Sequence, residues 1–351
     1  VKRKSVAILG ATGTVGQRFI QLLDGHPWLD IVAVAASERS AGRPYRDACV
    51  WRLPTPLPES IAWMPVQPLN PEKLEGIDLV FSALPADAAR DVEPAFAEAG
   101  MAVSSNASAY RFAEDVPLLI PEVNADHAAL IRLQQRIRDW RGFIVTNPNC
   151  TTTGIALALK PLDEAFGLDA VMATSMQAIS GAGYPGVSSF DVLDNVLCLI
   201  PGEEDKMERE ARLLLGKLEH EHVTEASFRL GAQANRVPVM DGHTICLSVK
   251  LNTPASPQQA RAVLSGFRGA LAARGLPSSP ALPLAVCSEA DRPQPRLDRD
   301  AGHGMQVSVG RIRECPIFDL RLVVVVHNTV RGAAGGSILN SELLIHEGYI
   351  R

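Results

Sequence analysis

The chain has 351 residues, 46% of them hydrophobic and 21% charged, which is the composition of a soluble globular protein. At roughly 100–200 residues per domain, two domains are expected. A formal net charge of -5 without a long basic run gives no electrostatic case for nucleic acid, although clustered arginines could still hold a small anion. Six cysteines, at 49, 150, 198, 246, 287 and 315, form neither a CxxC pair nor a dense disulfide framework, and no apolar run reaches the length of a membrane span. The basic opening leads straight into strand-like sequence, so a secretory signal is not expected and the chain reads as cytoplasmic with reduced thiols.

In chain order, residues 5–9 read as a buried parallel strand, 15–23 as the helix after it, and 30–36 as a second strand. The proline-rich stretch 52–71 suggests irregular edge structure. A strand at 78–82, a helix at 86–99 and a strand near 101–104 follow, and this alternation favours a doubly wound α/β sheet. The apolar residues 143–146 then lead through the turn Asn147-Pro148-Asn149 to Cys150 and a helix behind it. Beyond that point the pattern is mixed: strands at 169–179, 245–251 and 323–326, and helices at 203–218 and 259–274. A final helix at about 333–346 is expected to pack back on the first domain.

Gly10, Thr12, Gly13, Thr14, Val15 and Gly16 belong to a GxxGxxG turn between the first strand and helix. Such a turn could simply be tight, but its setting suits close approach of a pyrophosphate to backbone N–H groups. At the end of the second strand, Ser37, Arg39 and Ser40 could accommodate a ribose 2′-phosphate, which favours NADP; Glu38 leaves room for some use of NAD.

Isolated cysteines are mostly small buried hydrophobes, a reading that fits Cys198, Cys246 and Cys287. Cys150 differs, because a helix N-terminus can stabilise a thiolate; the alternative is a structural or capping role. His243, in a polar turn before a strand, could be the base or an ordinary satisfied histidine. Gln177 could orient a carbonyl, and the glycines that follow, with Ser180, Gly181 and Gly183, would let a cofactor approach. Arg236 could clamp a carboxylate. Glu203 and Lys206 lie one helical turn apart and could face one pocket, or could simply be a solvated helix face. Arg111 could bind phosphate or form a surface salt bridge.

Taken in order, these segments resemble the aspartate-semialdehyde dehydrogenase family, in particular its archaeal and fungal branch. The resemblance runs through GATGTVGQRF at 10–19, SERSAG at 37–42, SSNAS at 104–108, IPEVN at 120–124 and NPNCTTTG at 147–154. It continues through QAISGAGYPG at 177–186, PGEEDKM at 201–207, RVPVMDGHT at 236–244 and HNTVRGAAGG at 327–336. It implies Cys150 as nucleophile, His243 as acid/base and Gln177 as an orienting residue. Arg236 would clamp the substrate carboxylate, with Glu203 near the amine and Lys206, Arg111 and Asn106 on the phosphate side. Asn328 is expected near the nicotinamide, in an HNT sequence where many relatives have DNT.

The resemblance further implies a Rossmann-type NADP-binding domain over 1–149 and a mixed α+β catalytic and dimerisation domain of glyceraldehyde-phosphate-dehydrogenase-like type over 150–328. A C-terminal helix within 329–351 would return to the first domain. The implied reaction is NADPH-dependent conversion of aspartyl phosphate to aspartate semialdehyde for lysine, threonine and methionine synthesis, without a metal, by a homodimer or homotetramer. The alternative is malonyl-CoA or succinyl-CoA reduction through the same cysteine.

Overall fold

The computed structural model describes residues 2–270 and 275–351. The strands are β1 (Lys4–Leu9), β2 (Leu29–Ala35), β3 (Val66–Gln67), β4 (Leu79–Ser82), β5 (Ala102–Ser105), β6 (Phe143–Thr146) and β7 (Leu168–Gln177). They continue as β8 (Lys217–Glu219), β9 (His222–Thr224), β10 (Arg229–Arg236), β11 (His243–Leu251), β12 (Leu284–Val286), β13 (Val307–Glu314) and β14 (Leu320–Val326).

The first six strands form one parallel sheet in the order β3-β2-β1-β4-β5-β6. Val6, Ala7, Ile8 and Leu9 are all fully buried, as a strand covered on both faces requires. Strand order reverses between β1 and β4, which opens a crevice at the carboxyl ends of the strands, where open α/β sheets bind their ligands. The proline-rich stretch supplies only the short edge strand β3 and the one-turn helix Glu59–Ala62.

The second sheet is mixed, in the order β10-β7-β11-β14-β13-β12. Along β11, buried Ile245 and Leu247 alternate with more exposed Thr244, Cys246 and Ser248, so one face packs against the core. That core receives the helix Cys150–Phe166, with Ile155, Leu157, Leu159 and Leu162, and the helix Glu203–Leu214, with Met207, Ala211 and Leu214. The Cys150–Phe166 helix therefore starts beside the end of β6 and buries its body in the other core.

The helix Gly335–His346 returns to the first domain. Its Ile338, Leu339, Leu343 and Leu344 share a core with Val6, Ile8, Phe19 and Phe81. Before it, Arg331 donates to Glu122 at 2.6 Å in a fully buried pair.

Several expectations are corrected. The helix over 203–218 stops at Leu214, because a Cβ at Gly216 would stand 2.5 Å from the Thr224 carbonyl as the chain enters the β8–β9 hairpin. The strand over 169–179 ends at Gln177. The helix expected over 259–274 is Pro257–Gly266, and residues 271–274 lie outside the described residues. Cys246 and Cys198 are exposed, the first on the outward side of β11 and the second in a surface segment beside β10. Strands β10, β12 and β13 and the helix Leu130–Arg138 were not foreseen. No helix among the described residues is long and apolar enough to cross a membrane.

Candidate active site

A cleft of 1040 Å³ lies where the two sheets meet. One wall is the turn after β1. Gly10 has φ +73°, and a Cβ there would stand 2.7 Å from the Ala83 carbonyl, so only glycine fits. Gly13 N-caps the helix Thr14–Leu23, and no side chain caps that helix start, so backbone N–H groups stay available to a ligand anion. Gly10, Thr12, Gly13, Thr14, Val15 and Ser37 all line the cleft.

Arg39, Ser40 and Gly16 do not line it. Ser40 turns back to donate its N–H to the Ser37 carbonyl at 2.8 Å, which carries Arg39 and Ser40 past the cleft edge. Gly16 serves the packing instead: a Cβ there would come within 2.3 Å of the Gly10 carbonyl, so its absence lets the helix close on the turn.

The opposite wall carries the reactive group. Asn149 caps the Cys150–Phe166 helix, its Oδ1 accepting the N–H groups of Thr151 at 2.8 Å and Thr152 at 3.2 Å. Cys150 is therefore the first helical residue, half-buried and on the cleft wall. Its Sγ lies 3.2 Å from His243 Nε2. His243 is the first residue of β11, pairs with Val326 and is fully buried behind the cysteine. Its Nδ1 accepts the Ala178 N–H at 3.0 Å. A neutral His243 therefore carries its proton on Nε2, facing the sulfur.

Gln177, Glu203, Lys206, Arg236, Arg111, Asn106, Ser180, Gly181, Gly183 and Asn328 all reach the same cleft. Arg236, at the end of β10, donates from Nη1 to the Ala178 carbonyl at 2.8 Å, so the peptide unit around Ala178 is held by both Arg236 and His243. Glu203 Oε1 accepts Asn149 Nδ2 at 2.8 Å and Gln177 Nε2 at 2.9 Å, while its Oε2 lies 4.0 Å from Lys206 Nζ. Asn328 accepts the Gly242 N–H at 2.9 Å and donates to Ser180 Oγ at 2.8 Å. Gly181 lies over the pair: a Cβ there would meet Arg236 Nη1 at 2.8 Å and His243 Cε1 at 3.0 Å.

Electrostatics follow from this burial. Desolvation, and next the charge of Glu203, push the Cys150 thiol up to about 12, against the pull of Arg111, Arg236 and the Thr151 N–H. Desolvation, then Arg236 and His327, bring His243 down to about 3. Both shifts favour thiol and neutral imidazole near neutral pH.

Two site residues escaped sequence reasoning. Asn149 is gripped through its side chain and its main chain. Glu210 is fully buried: Oε1 accepts Arg111 Nη1 at 2.9 Å and Oε2 accepts the Asn149 N–H at 2.6 Å. Burial pushes its carboxyl up, opposed first by Arg111. The available signal was a carboxylate seven residues after Glu203 on the same buried helix stripe as Met207, Ala211 and Leu214.

A nucleotide-type cleft facing a cysteine–histidine pair, on a parallel sheet joined to a mixed one, is the arrangement of a two-domain dehydrogenase. Residues 5–131 match the family model "Semialdehyde dehydrogenase, NAD binding domain" and residues 159–331 match "Semialdehyde dehydrogenase, dimerisation domain". The aspartate-semialdehyde dehydrogenase of Archaeoglobus fulgidus is 51% identical over 348 residues, 99% of this chain and 100% of that one. That of Schizosaccharomyces pombe is 46% identical over 355 residues, 98% of this chain and 99% of that one. The crystal structure of the Candida albicans aspartate-semialdehyde dehydrogenase with NADP superposes with a TM-score of 0.92 at 44% identity, covering 99% of this chain and 100% of that one. The chain belongs to the aspartate-semialdehyde dehydrogenases, a family of oxidoreductases.

Proposed function

We propose that this chain catalyses the reductive dephosphorylation of L-4-aspartyl phosphate to L-aspartate 4-semialdehyde with NADPH, through a thioester on Cys150. Family membership supports the overall reaction. The observation that carries the mechanism is the 3.2 Å approach of Cys150 Sγ to His243 Nε2, in a cleft shared with the glycine turn, Arg236 and Glu203. Residues 1–149 would hold NADP, 150–328 would perform the chemistry and 329–351 would return to brace the first domain. NADP fits the uncapped helix start and the Gly10 turn, with Ser37 toward the ribose, and when bound it supplies or receives the hydride. Arg39 and Ser40 would have to turn inward to meet a 2′-phosphate.

Arg236 holds the substrate carboxylate and Glu203 its amine, while Arg111, Lys206 and Asn106 face the phosphoryl group. The Cys150 thiol passes its proton to the imidazole of His243, the sulfur attacks the acyl carbon, the C–O bond to phosphate breaks, and phosphate leaves with that electron pair. After the thioester carbonyl is reduced, the C–S bond breaks and returns its electron pair to Cys150. His243 donates its Nε2–H hydrogen bond to that thiolate. To take up a further proton, the imidazole must surrender the Ala178 N–H bond, so its acid/base work is coupled to movement at Ala178. Gln177 and nearby N–H groups steady charge on the carbonyl oxygen.

The matched dimerisation domain and the family support a homodimer or homotetramer, and the free thiols of the described residues suit a cytoplasmic protein. The test is phosphate-dependent NADP+ reduction with aspartate semialdehyde, with NAD+ and C150A protein in parallel. Turnover that needs phosphate and vanishes in C150A supports the reading. Turnover only with malonyl-CoA or succinyl-CoA in the reductive direction overturns it in favour of a CoA-ester reductase.

A further inference from the structure

We propose that Glu210 is a positioning residue that ties the phosphate-side cation Arg111 to the nucleophile turn, so that anion binding and cysteine alignment are set by one buried carboxylate. The proposal rests on the reading of Cys150 as nucleophile.

Both oxygens of Glu210 are committed to the site. Oε1 takes Arg111 Nη1 at 2.9 Å and Oε2 takes the backbone N–H of Asn149 at 2.6 Å. Arg111 spends Nη2 on the Asn106 carbonyl at 2.8 Å, and it lines the cleft together with Asn106 and Cys150. Asn149 immediately precedes the nucleophile, and its side chain is fixed by Glu203 at 2.8 Å. Glu203 and Glu210 lie on one face of the helix Glu203–Leu214, so a single rigid element grips Asn149 at two points while presenting an ion pair to Arg111. Glu210 is fully buried and does not line the cleft, so it acts through these partners and not on substrate.

A charged pair buried this completely makes a costly fold contact, and an apolar residue would pack against Met207, Ala211 and Leu214 without that cost. The geometry gives the carboxylate a different task. Arg111 carries a delocalised charge that, without this counter-ion, would be held only by the Asn106 carbonyl. The Asn149 N–H precedes the helix and would be an orphan donor without an acceptor. One carboxylate answers both needs with its two oxygens, and an amide cannot, since it offers a single oxygen acceptor.

The experiment uses full-length E210Q and E210D protein, with C150A as control, measuring kcat and the KM values for phosphate and aspartate semialdehyde, and NADP+ binding by fluorescence. In E210Q, the phosphate KM should rise and kcat should fall, each about tenfold or more, with NADP+ affinity unchanged. In E210D, the phosphate KM should recover toward wild type because the arginine can follow the shortened carboxylate. Its kcat should stay low because the Asn149 backbone cannot follow. A purely structural residue would lower thermal stability and leave the kinetic constants of the surviving folded protein unaltered. That result, or equal rescue of both constants by E210D, overturns the proposal. If E210Q does not fold, the split between KM and kcat in E210D decides the matter alone. An active C150A would instead refute the nucleophile on which the proposal stands; an inactive C150A with normal E210Q kinetics refutes Glu210 only.

Discussion

His243 and Cys150 face each other across 3.2 Å, but the imidazole reaches the sulfur from the nitrogen that carries the proton, because its other nitrogen accepts the Ala178 N–H. The pair is thus arranged to receive a thiolate better than to create one. Burial, and next Glu203, favour the protonated thiol.

A pH dependence follows. The Cys150 thiol is pushed up to about 12 and His243 down to about 3, so neither titrates near neutrality in the ligand-free protein. Deprotonation of the thiol is favoured as pH rises. Alkylation of Cys150 by iodoacetamide should therefore accelerate about tenfold per pH unit across the mildly alkaline range, without a step at the ordinary histidine pKa of about 6.5. Mass spectrometry of the labelled peptide against pH checks it, and a plateau beginning near neutrality contradicts it.

C150A should abolish turnover while NADP+ binding stays within about twofold of wild type, because the glycine turn lies on the opposite wall of the cleft. Fluorescence titration alongside the activity assay tests both halves. Normal turnover in C150A would remove the covalent step altogether.

H243N removes the Nε2–H donor that faces Cys150, while the carboxamide oxygen can still accept the Ala178 N–H in place of Nδ1. The expected loss is about a hundredfold in kcat, accompanied by a changed pH–rate profile, since the thiolate loses its donor. An unchanged profile with normal turnover would assign the residue a structural task only.

For R236L, kcat/KM for aspartate semialdehyde should drop about a hundredfold or more, and the phosphate KM should move much less. Because Arg236 also braces the Ala178 carbonyl, R236K should recover part of the loss but not the fork-like grip on a carboxylate. Equal losses for both substrates would point to general disruption.

G181A tests the closeness of the site in a different way. The added Cβ would meet the Arg236 guanidinium and the His243 ring, and displacing either by an ångström should cost about a hundredfold in kcat/KM. Near-normal kinetics would show that the loop can retreat without disturbing the pair.

The dinucleotide half was largely legible because its signals are local. The glycine turn and the apolar run of β1 are each written within a few neighbouring residues. The catalytic half was harder. Strand β10, with sequence RLGAQANR, shows no alternation strong enough to declare itself, although it delivers Arg236. His243 could be read from its polar neighbours in sequence as a base or as an ordinary satisfied histidine, because its neighbours in space, Cys150 and the strand β14, are far away along the chain. Glu210 makes its contacts across 61 and 99 residues of sequence, and no spacing rule reaches that far. Arg39 and Ser40 follow Ser37 on the same turn but are not among the residues that line the cleft.

The helix Gly335–His346 supplies part of the core of a sheet whose own strands are complete by Thr146. During synthesis, the N-terminal half therefore emerges with all six of its strands but with apolar surface that later residues, among them Leu276, Met305, Ile338, Leu339, Leu343 and Leu344, go on to cover. The core under the nucleotide crevice is therefore completed only once the helix Gly335–His346 has been made. Residues 1–149 expressed alone should be prone to aggregate, and adding 329–351 as a separate peptide should restore solubility.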